Sequence, residues 1–306
     1  MDIETVYLRY SSKCFTRAAT RSAAMTIRAI DCHMHFFGEA ARYPFAPRRS
    51  YTVPPATIED YRKAIRGTDI ARLVIVQPSL YGTDNRCTLD ALEELGDTAR
   101  GVAVIDPEAT GDTELATMHE RGIRGVRLNL HSVRTGAPSI ETILPAMDRA
   151  LAGSTWHIQV FCAPETWAAI IPLQDRLQRP LVLDHFGLVD PLQPDPHIES
   201  LKQLVDGGAW VKLSGSYRIS TGPNGPGVAD LARQVHAMAP DRMVWASDWP
   251  HTPKHGGGLY SGTEPLPFQK IDTAGLYHAM ETWFPDMGTR RAILQDNPCR
   301  LYDWAD

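Results

Sequence analysis

The chain has 306 residues, of which 43% are hydrophobic and 22% are charged, and its formal net charge is -5 at pH 7. This composition is typical of a globular protein. The negative charge argues against a nucleic-acid partner or an acidic membrane surface, and no apolar run approaches the roughly 20 residues that a membrane-spanning helix needs. The five cysteines are scattered and form no Cys-x-x-Cys pair, which indicates reduced thiols and a cytoplasmic location.

Residues 1–24 differ in composition from the rest of the chain. They are rich in Ser, Thr, Ala and Arg and lack the apolar core of roughly 7–15 residues found in a secretory signal. Met25 directly precedes the first strand-like run, which makes it a natural start. We therefore expect residues 1–24 to be a disordered extension upstream of the true start, and residues 25–306 to form a single domain.

Short apolar runs recur along this domain. Their near-continuous apolar character predicts strands that are covered on both faces. The predicted strands span residues 29–36, 71–77, 101–105, 125–130, 157–162, 181–185, 210–213 and 243–246.

Segments with helical patterns follow these strands. The first begins at Thr57 and has Glu59 and Asp60 in its first turn, as a helix start should. The predicted helices span residues 57–66, 84–95, 112–121, 140–152, 164–177, 198–206, 227–239, 271–284 and 289–302. This alternation predicts an α/β protein, a single (β/α)8 TIM barrel. Long loops at residues 38–55, 215–227 and 250–267 follow strand ends, where barrel active sites lie.

Residues able to do chemistry stand at the ends of three predicted strands. His33 and His35, two positions apart, should point to the same side of the first strand. His185 ends the sixth predicted strand, and Asp248 follows the eighth. Because the carboxyl ends of barrel strands surround one site, these four residues are candidate catalytic residues.

The motifs His33-x-His35, Asp184-His185 and Ser247-Asp248-Trp249-Pro250-His251 resemble those of the amidohydrolase superfamily. Within it, the chain is similar to the branch that contains 2-pyrone-4,6-dicarboxylate lactonase and galactarolactone isomerase. The segments at residues 49–52, 76–79, 125–129 and 214–218 add to the resemblance, which runs from about residue 27 to the C-terminus.

Asp248 is the candidate general base, since a carboxylate can take a proton from water as the water attacks a carbonyl. His33, His35 and His185, with or without Asp248, could hold one zinc ion. Without metal, the histidines could instead donate hydrogen bonds to the carbonyl oxygen. Binuclear members of the superfamily use a bridging Lys or Glu on the fourth strand and a His on the fifth. Here the fourth strand offers Arg127 and Asn129, and His157 opens the fifth strand at the wrong end for the site. The resemblance therefore implies that no cofactor is required, or that one divalent metal ion is weakly held.

We expect arginine to bind the substrate, because its planar guanidinium binds a carboxylate through two hydrogen bonds. Arg127 interrupts an apolar run in the fourth strand, and Arg218 is expected at the end of the seventh. The resemblance adds three hydroxyl-bearing positions, and the loops beyond the fourth and eighth strands add two further candidates. These five candidate substrate-binding residues are Tyr51, Ser79, Tyr217, Arg134 and His251.

Two departures from the pyrone-dicarboxylate enzymes bear on the substrate. Leu188 stands near the position where they carry an Arg, and the end of the fifth strand reads Val160-Phe161-Cys162 where they carry a Tyr. A lactone with one anionic group, or a polyhydroxy or sulfonated lactone, therefore fits as well as a dicarboxylate.

The interpretation is a lactone hydrolase acting on a small-molecule lactone. The alternatives are a lactone isomerase, a zinc-dependent decarboxylase and a non-catalytic binding barrel. The oligomeric state stays open.

Overall fold

The computed structural model describes residues 27–47, 49–131, 138–195, 197–253 and 264–305. Within them, eight strands form one sheet in which every neighbouring pair is parallel and the order in the sheet is the order in the chain. The strands are β1 (Ala29–Met34), β2 (Ile70–Val76), β3 (Ala99–Ala103), β4 (Ile123–Asn129), β5 (His157–Phe161), β6 (Leu181–Leu183), β7 (Trp210–Ser214) and β8 (Met243–Ala246).

The end of β1 and the segment after β8 close this sheet into a barrel. Met34 forms a parallel bridge with Trp249. The amide of Asp248 donates to the carbonyl of His33, and the amide of His35 donates to the carbonyl of Trp249, each over 2.8 Å. The predicted (β/α)8 barrel is confirmed, and the backbone that closes it also carries three of the predicted site residues.

Helices follow the strands and cover the outside of the barrel. The first begins as predicted, because Thr57 and Asp60 form a capping box. The helices are α1 (Ile58–Ala64), α2 (Arg86–Leu95), α3 (Asp112–Glu120), α4 (Ile140–Ala150), α5 (Trp167–Gln174), α6 (His197–Asp206), α7 (Ser216–Ile219), α8 (Val228–Met238), α9 (Thr273–Trp283), α10 (Met287–Arg291) and α11 (Asn297–Leu301). Short 3₁₀ turns lie at Ser79–Tyr81, Gly96–Thr98, Pro164–Thr166, His185–Leu188 and Pro240–Arg242, and a π-turn lies at Ala292–Asp296.

Some predicted boundaries are wrong. The sixth strand was expected to reach His185, but β6 ends at Leu183 because His185 has a φ of 52°, which lies outside the extended region. Arg218, expected at the end of the seventh strand, lies in α7 instead. The helix predicted at residues 289–302 is divided into α10, the π-turn and α11, whose first turn contains Pro298. A proline cannot donate the backbone hydrogen bond that would continue the preceding helix.

The hydrophobic core has two parts. The larger part lies between the strands and the surrounding helices. The smaller part combines apolar side chains from β1, β2, β3, β6, β7 and β8 with Cys299, Tyr302 and Trp304 from the C-terminal segment. Side chains from so many strands can meet only inside the barrel, so the C-terminal segment packs across one end of it. None of the described helices is long and apolar enough to cross a membrane.

Candidate active site

His33 and His35 place their rings together at the end of β1. The Nδ1 atom of His35 lies 2.7 Å from the carbonyl oxygen of Val76, and the Nδ1 atom of His33 lies 3.2 Å from Oδ1 of Asp184. A carbonyl only accepts, so Nδ1 of His35 carries the proton, and the ionised carboxylate of Asp184 favours a proton on Nδ1 of His33. With Nδ1 of both rings protonated, the two buried Nε2 atoms, which are 3.2 Å apart, each keep an unprotonated lone pair.

Asp248 follows β8 with a left-handed backbone, φ 61°. Its Oδ2 accepts from the Tyr217 hydroxyl at 2.6 Å and from Nε of Arg218 at 2.5 Å. Burial raises the pKa of Asp248, but Arg218 and the nearby histidines outweigh burial and hold it well below its ordinary value. Asp248 is therefore ionised, and one of its two oxygens is fully engaged.

The other oxygen of Asp248 faces the imidazoles. Oδ1 lies 3.8 Å from Nε2 of His33, 3.8 Å from Nε2 of His35 and 3.9 Å from Nε2 of His185. It has no hydrogen-bond partner among the described residues. Four potential ligand atoms from the ends of three strands thus converge on one small region.

His185 is positioned by the turn after β6 and by β7. Its Nδ1 atom lies 2.9 Å from Oγ of Ser214. The next residue, Gly215, has a φ of 57°, and a Cβ there would lie 2.9 Å from the same ring nitrogen. Gly215 is thus needed both for its backbone and for the close approach of the ring. Burial lowers the pKa of His185 to about 4, although Asp248 and Asp184 oppose the shift.

The convergence of lone pairs fits a cation. Two unprotonated imidazole nitrogens and a carboxylate oxygen repel one another unless a proton or a metal ion lies between them. Burial lowers the pKa of His35 to about 4 and that of His33 well below its ordinary value, so neither ring keeps a second proton near pH 7. His33, His35 and Asp248 can therefore hold a divalent metal ion, as can His33, Asp184 and His185.

The two predicted arginines lie on different sides of the histidines. Arg127 is buried on β4, where its Nε lies 3.4 Å from Oδ2 of Asp184 and its guanidinium lies 5.4 Å from the centre of the Phe161 ring. Arg218 adds to its pair with Asp248 a hydrogen bond from Nη2 to Thr252. Both guanidinium groups act to lower the pKa of His35 and of His185. Both arginines thus place positive charge close to the histidines.

The predicted hydroxyl-bearing residues divide into two groups. Burial raises the pKa of Tyr51, while Arg127, Arg218 and hydrogen bonds with Thr252 and Ser79 lower it. Tyr51 and Ser79 thus lie together near both arginines. Tyr217 is instead bonded to Asp248.

The two remaining candidates are His251 and Arg134. Nε2 of the buried His251 lies 2.9 Å from Oγ1 of Thr273 on α9, and its ring packs edge-on against Tyr217. Contact of His251 with a substrate stays a prediction. Arg134 lies outside the described residues.

The family model described as Amidohydrolase matches residues 30–304. This chain belongs to the amidohydrolase family. A 4-sulfomuconolactone hydrolase of Rhizobium radiobacter is 32% identical over 294 residues, which cover 94% of this chain and 93% of that protein. A 2-pyrone-4,6-dicarboxylate hydrolase of Comamonas testosteroni is 31% identical, with 90% of each chain covered. A D-galactarolactone isomerase of Agrobacterium fabrum is 28% identical, again with 90% of each chain covered. The resemblance indicated by the motifs is confirmed, and the protein is an enzyme of this family.

Three polar residues of this amidohydrolase were not identified as site residues from the sequence. Asp184 was noted as part of a motif, but its contact with His33 was not foreseen. Gln159 on β5 and Lys212 on β7 are both completely buried beside Asp184. Lys212 stands in an apolar run, which is the same signal that identified Arg127, so it could have been found from the sequence.

Two cavities adjoin the arginines. One of about 460 Å³ is lined by Arg218, His131, Phe161 and Leu188, with Asp190, Ile219 and Pro253. The other, of about 880 Å³, contains Arg127, Ser79 and Tyr81 within a mainly apolar lining. The two positions at which the sequence departs from the pyrone-dicarboxylate enzymes thus line the same cavity as Arg218.

Proposed function

We propose that this amidohydrolase opens the ring of a lactone by adding water to the lactone carbonyl. The observation that carries the proposal is the position of Asp248, a buried and ionised carboxylate with one oxygen facing the Nε2 atoms of three histidines. A general base needs to be fixed and within reach of the attacking water. The names of the hydrolase relatives support lactones as the substrate class.

In the proposed reaction, Oδ1 of Asp248 takes a proton from water while the water oxygen bonds to the carbonyl carbon. The ring C–O bond then breaks, and the released ring oxygen receives the proton from Asp248. Water has supplied OH to the carbonyl carbon and H to the ring oxygen, so the product is an open-chain hydroxy or keto acid. Tyr217 and Arg218 contribute by holding Oδ2, which keeps Oδ1 directed at the reaction centre.

Arg218 also links substrate binding to the strength of the base. While the guanidinium is paired only with Asp248, the low pKa of the carboxylate makes it a weak proton acceptor. An anionic substrate group that binds Arg218 would compete for the guanidinium charge. The pKa of Asp248 would then rise toward the working pH, where general-base catalysis is most effective.

We infer that the site holds at most one divalent metal ion, with zinc as the natural choice for His33, His35 and Asp248 and with His185 beside them. When bound, such an ion would lower the pKa of a bound water and polarise the carbonyl. The fourth strand offers Arg127 and Asn129 at the position where a second ion would need a bridging Lys or Glu.

The inferred substrate is a lactone with an anionic group. Arg127 and Arg218 are fixed by Asp184 and Asp248, so a carboxylate or sulfonate can bind their remaining N–H donors without a large loss of side-chain entropy. Phe161 and Leu188 provide apolar surface beside Arg218, which suits one anionic group better than two. We also infer a cytoplasmic location, in keeping with four buried cysteines that form no disulfide with one another among the described residues.

A panel of lactones in ¹⁸O-labelled water, followed by mass spectrometry of the products, tests this function. The panel should include sulfonated, monocarboxylated, dicarboxylated, polyhydroxy and neutral lactones. Hydrolysis gives an open-chain acid that contains one solvent oxygen. If no member of the panel is turned over by folded protein with and without added zinc, the proposal fails.

The isomerase relative makes lactone isomerisation the second candidate. In that reaction a hydroxyl of the substrate replaces water as the nucleophile, and the product keeps its mass and gains no solvent oxygen. The same products also distinguish the remaining alternatives. Decarboxylation releases CO₂, and a binding barrel leaves every lactone unchanged.

A further inference from the structure

Lys212 is a charged side chain with no exposure to solvent, located in the middle of β7. Its Nζ donates to the carbonyl of Cys32 at 2.8 Å and to Oε1 of Gln159 at 2.6 Å, and lies 3.8 Å from Oδ1 of Asp184. A buried charge costs free energy unless it is paired and hydrogen-bonded. These contacts pair the ammonium group of Lys212, and one of its partners, Asp184, also contacts His33. The proposed reaction nevertheless gives Lys212 no role.

The contact with Lys212 determines how the amide of Gln159 is oriented. An ammonium group has donors only, so the atom of Gln159 that faces it must be the carbonyl oxygen. The amide nitrogen then faces the other way, where it donates to Oδ2 of Asp184 at 3.0 Å. Gln159 is completely buried, so water does not compete for either end of the amide.

Asp184 in turn lies against His33. Gln159 and Arg127 bind Oδ2 of Asp184 at 3.0 and 3.4 Å, and its other oxygen lies 3.2 Å from Nδ1 of His33. These contacts fix the rotation of the carboxylate. A carboxylate fixed in this way keeps the ring of His33 directed at Asp248.

We propose that Lys212 is a positioning residue, which acts through Gln159 and Asp184 to hold His33 in its working tautomer and orientation. The inference builds on the proposed lactone hydrolysis for its kinetic readout, but its structural readout needs no substrate. Outer residues that orient a catalytic or metal-binding histidine typically change activity by about 10- to 100-fold when they are removed.

The test compares Lys212→Met, Gln159→Met and the double variant with the wild-type protein. Each single variant should lower kcat by about 10- to 100-fold with little change in KM, because both residues are completely buried. The kcat of the double variant should be no lower than that of the less active single variant, since the two substitutions break the same chain of contacts. Lys202→Met, which removes an exposed lysine of α6 that pairs with Asp206, is the matched control and should keep wild-type kcat.

The substrate-free readout is the proton NMR signal of the Nδ1–H group of His33, assigned by its loss in His33→Asn. This proton should exchange slowly in the wild-type protein and in Lys202→Met, and should broaden or disappear in Lys212→Met and Gln159→Met. If the wild-type protein hydrolyses no lactone, the function proposed above fails while this signal still tests the role of Lys212.

Several results would overturn the proposal. One is a folded Lys212→Met protein with wild-type kcat and an unchanged Nδ1–H signal. Another is a double variant in which the two losses multiply, which would show two independent roles. If Lys212→Met does not fold, Gln159→Met decides: wild-type kcat and an unchanged signal in that variant refute the chain of contacts, and a loss of both supports it.

Discussion

The guanidinium of Arg218 and the carboxylate of Asp248 are joined by a 2.5 Å contact between Nε and Oδ2, with side-chain exposures of 16% and 0%. The pair gives the two oxygens of Asp248 different tasks. Oδ2 is bound to Arg218 and Tyr217, whereas Oδ1 is directed at the histidines. The same pairing that orients the carboxylate of Asp248 lowers its pKa, so orientation and basicity are coupled at this residue.

Replacing Asp248 by Asn tests its role as the base. The amide has nearly the same shape but cannot take the proton, so kcat should fall by at least about 100-fold while the fold and product binding are kept. Steady-state kinetics, circular dichroism and calorimetric titration with product measure the three properties. Near wild-type turnover in a folded Asp248→Asn protein would refute the assignment.

Metal content tests the convergence of His33, His35 and Asp248. We expect no more than one equivalent of zinc per chain, and a clear loss of bound zinc in His35→Asn. Elemental analysis and a zinc-dependent rise in Tm are readouts that do not depend on activity. His278→Asn, on the exposed face of α9, is the control and should bind zinc as the wild-type protein does. Two tightly held equivalents would contradict the single-ion site. Full lactonase activity in protein shown to be free of metal would exclude a part for the ion in the reaction.

The barrel and the clustering of His33, His35, His185 and Asp248 could be predicted because they depend on local patterns. Apolar runs indicated the strands, and the two-residue spacing of His33 and His35 placed them on one side of a strand. Contacts between strands carry no such pattern. Gln159, Asp184 and Lys212 come from three adjacent strands or strand ends, and only the register of those strands brings their side chains to the same level in the barrel.

The conformation of the backbone after β7 could not be predicted from the sequence either. Arg218 was expected to reach the substrate from a strand end. In the structure, the left-handed Gly215 begins the short helix α7, which turns Arg218 and Tyr217 toward Asp248. A pairing between α7 and the segment after β8 depends on tertiary geometry that neither composition nor periodicity records.

Arg127 is expected to bind the anionic group of the substrate. A charged hydrogen bond contributes roughly 1.5–3 kcal/mol, so Arg127→Ala should lower kcat/KM for an anionic lactone by about 10- to 100-fold. Arg127→Lys should restore only part of the loss, because the planar pair of donors is missing.

A neutral lactone of the same ring size is the control substrate for the Arg127 variants. The kcat/KM for the neutral lactone should fall less, and that smaller loss measures the contact of Arg127 with Asp184. If kcat/KM falls equally for both lactones, Arg127 only supports Asp184 and does not bind the substrate anion.

The buried histidines should make the fold sensitive to acid. In the folded protein, burial lowers the pKa of His35, His185 and His251 to about 4 and that of His157 to about 3. Below the ordinary value of about 6.5, the unfolded chain therefore binds protons that the folded chain does not bind. Their contribution to stability is complete above pH 6.5 and is lost as the pH falls toward 4. Burial raises the pKa of Asp31 to about 6, so its contribution to stability changes with pH in the opposite direction. Asp31 is one group, against four histidines.

His157 allows this acid sensitivity to be measured away from the candidate metal ligands, because it lies at the start of β5 against Tyr302. In His157→Leu, the fall in the free energy of unfolding between pH 6 and pH 4.5 should be shallower than in the wild-type protein, by up to about 1.4 kcal/mol per pH unit. Urea unfolding at a series of pH values gives this slope. His278→Gln, which changes an exposed histidine of α9, should leave the slope as it is. An identical slope in His157→Leu and the wild-type protein would mean that His157 takes up a proton as readily in the folded barrel as in the unfolded chain.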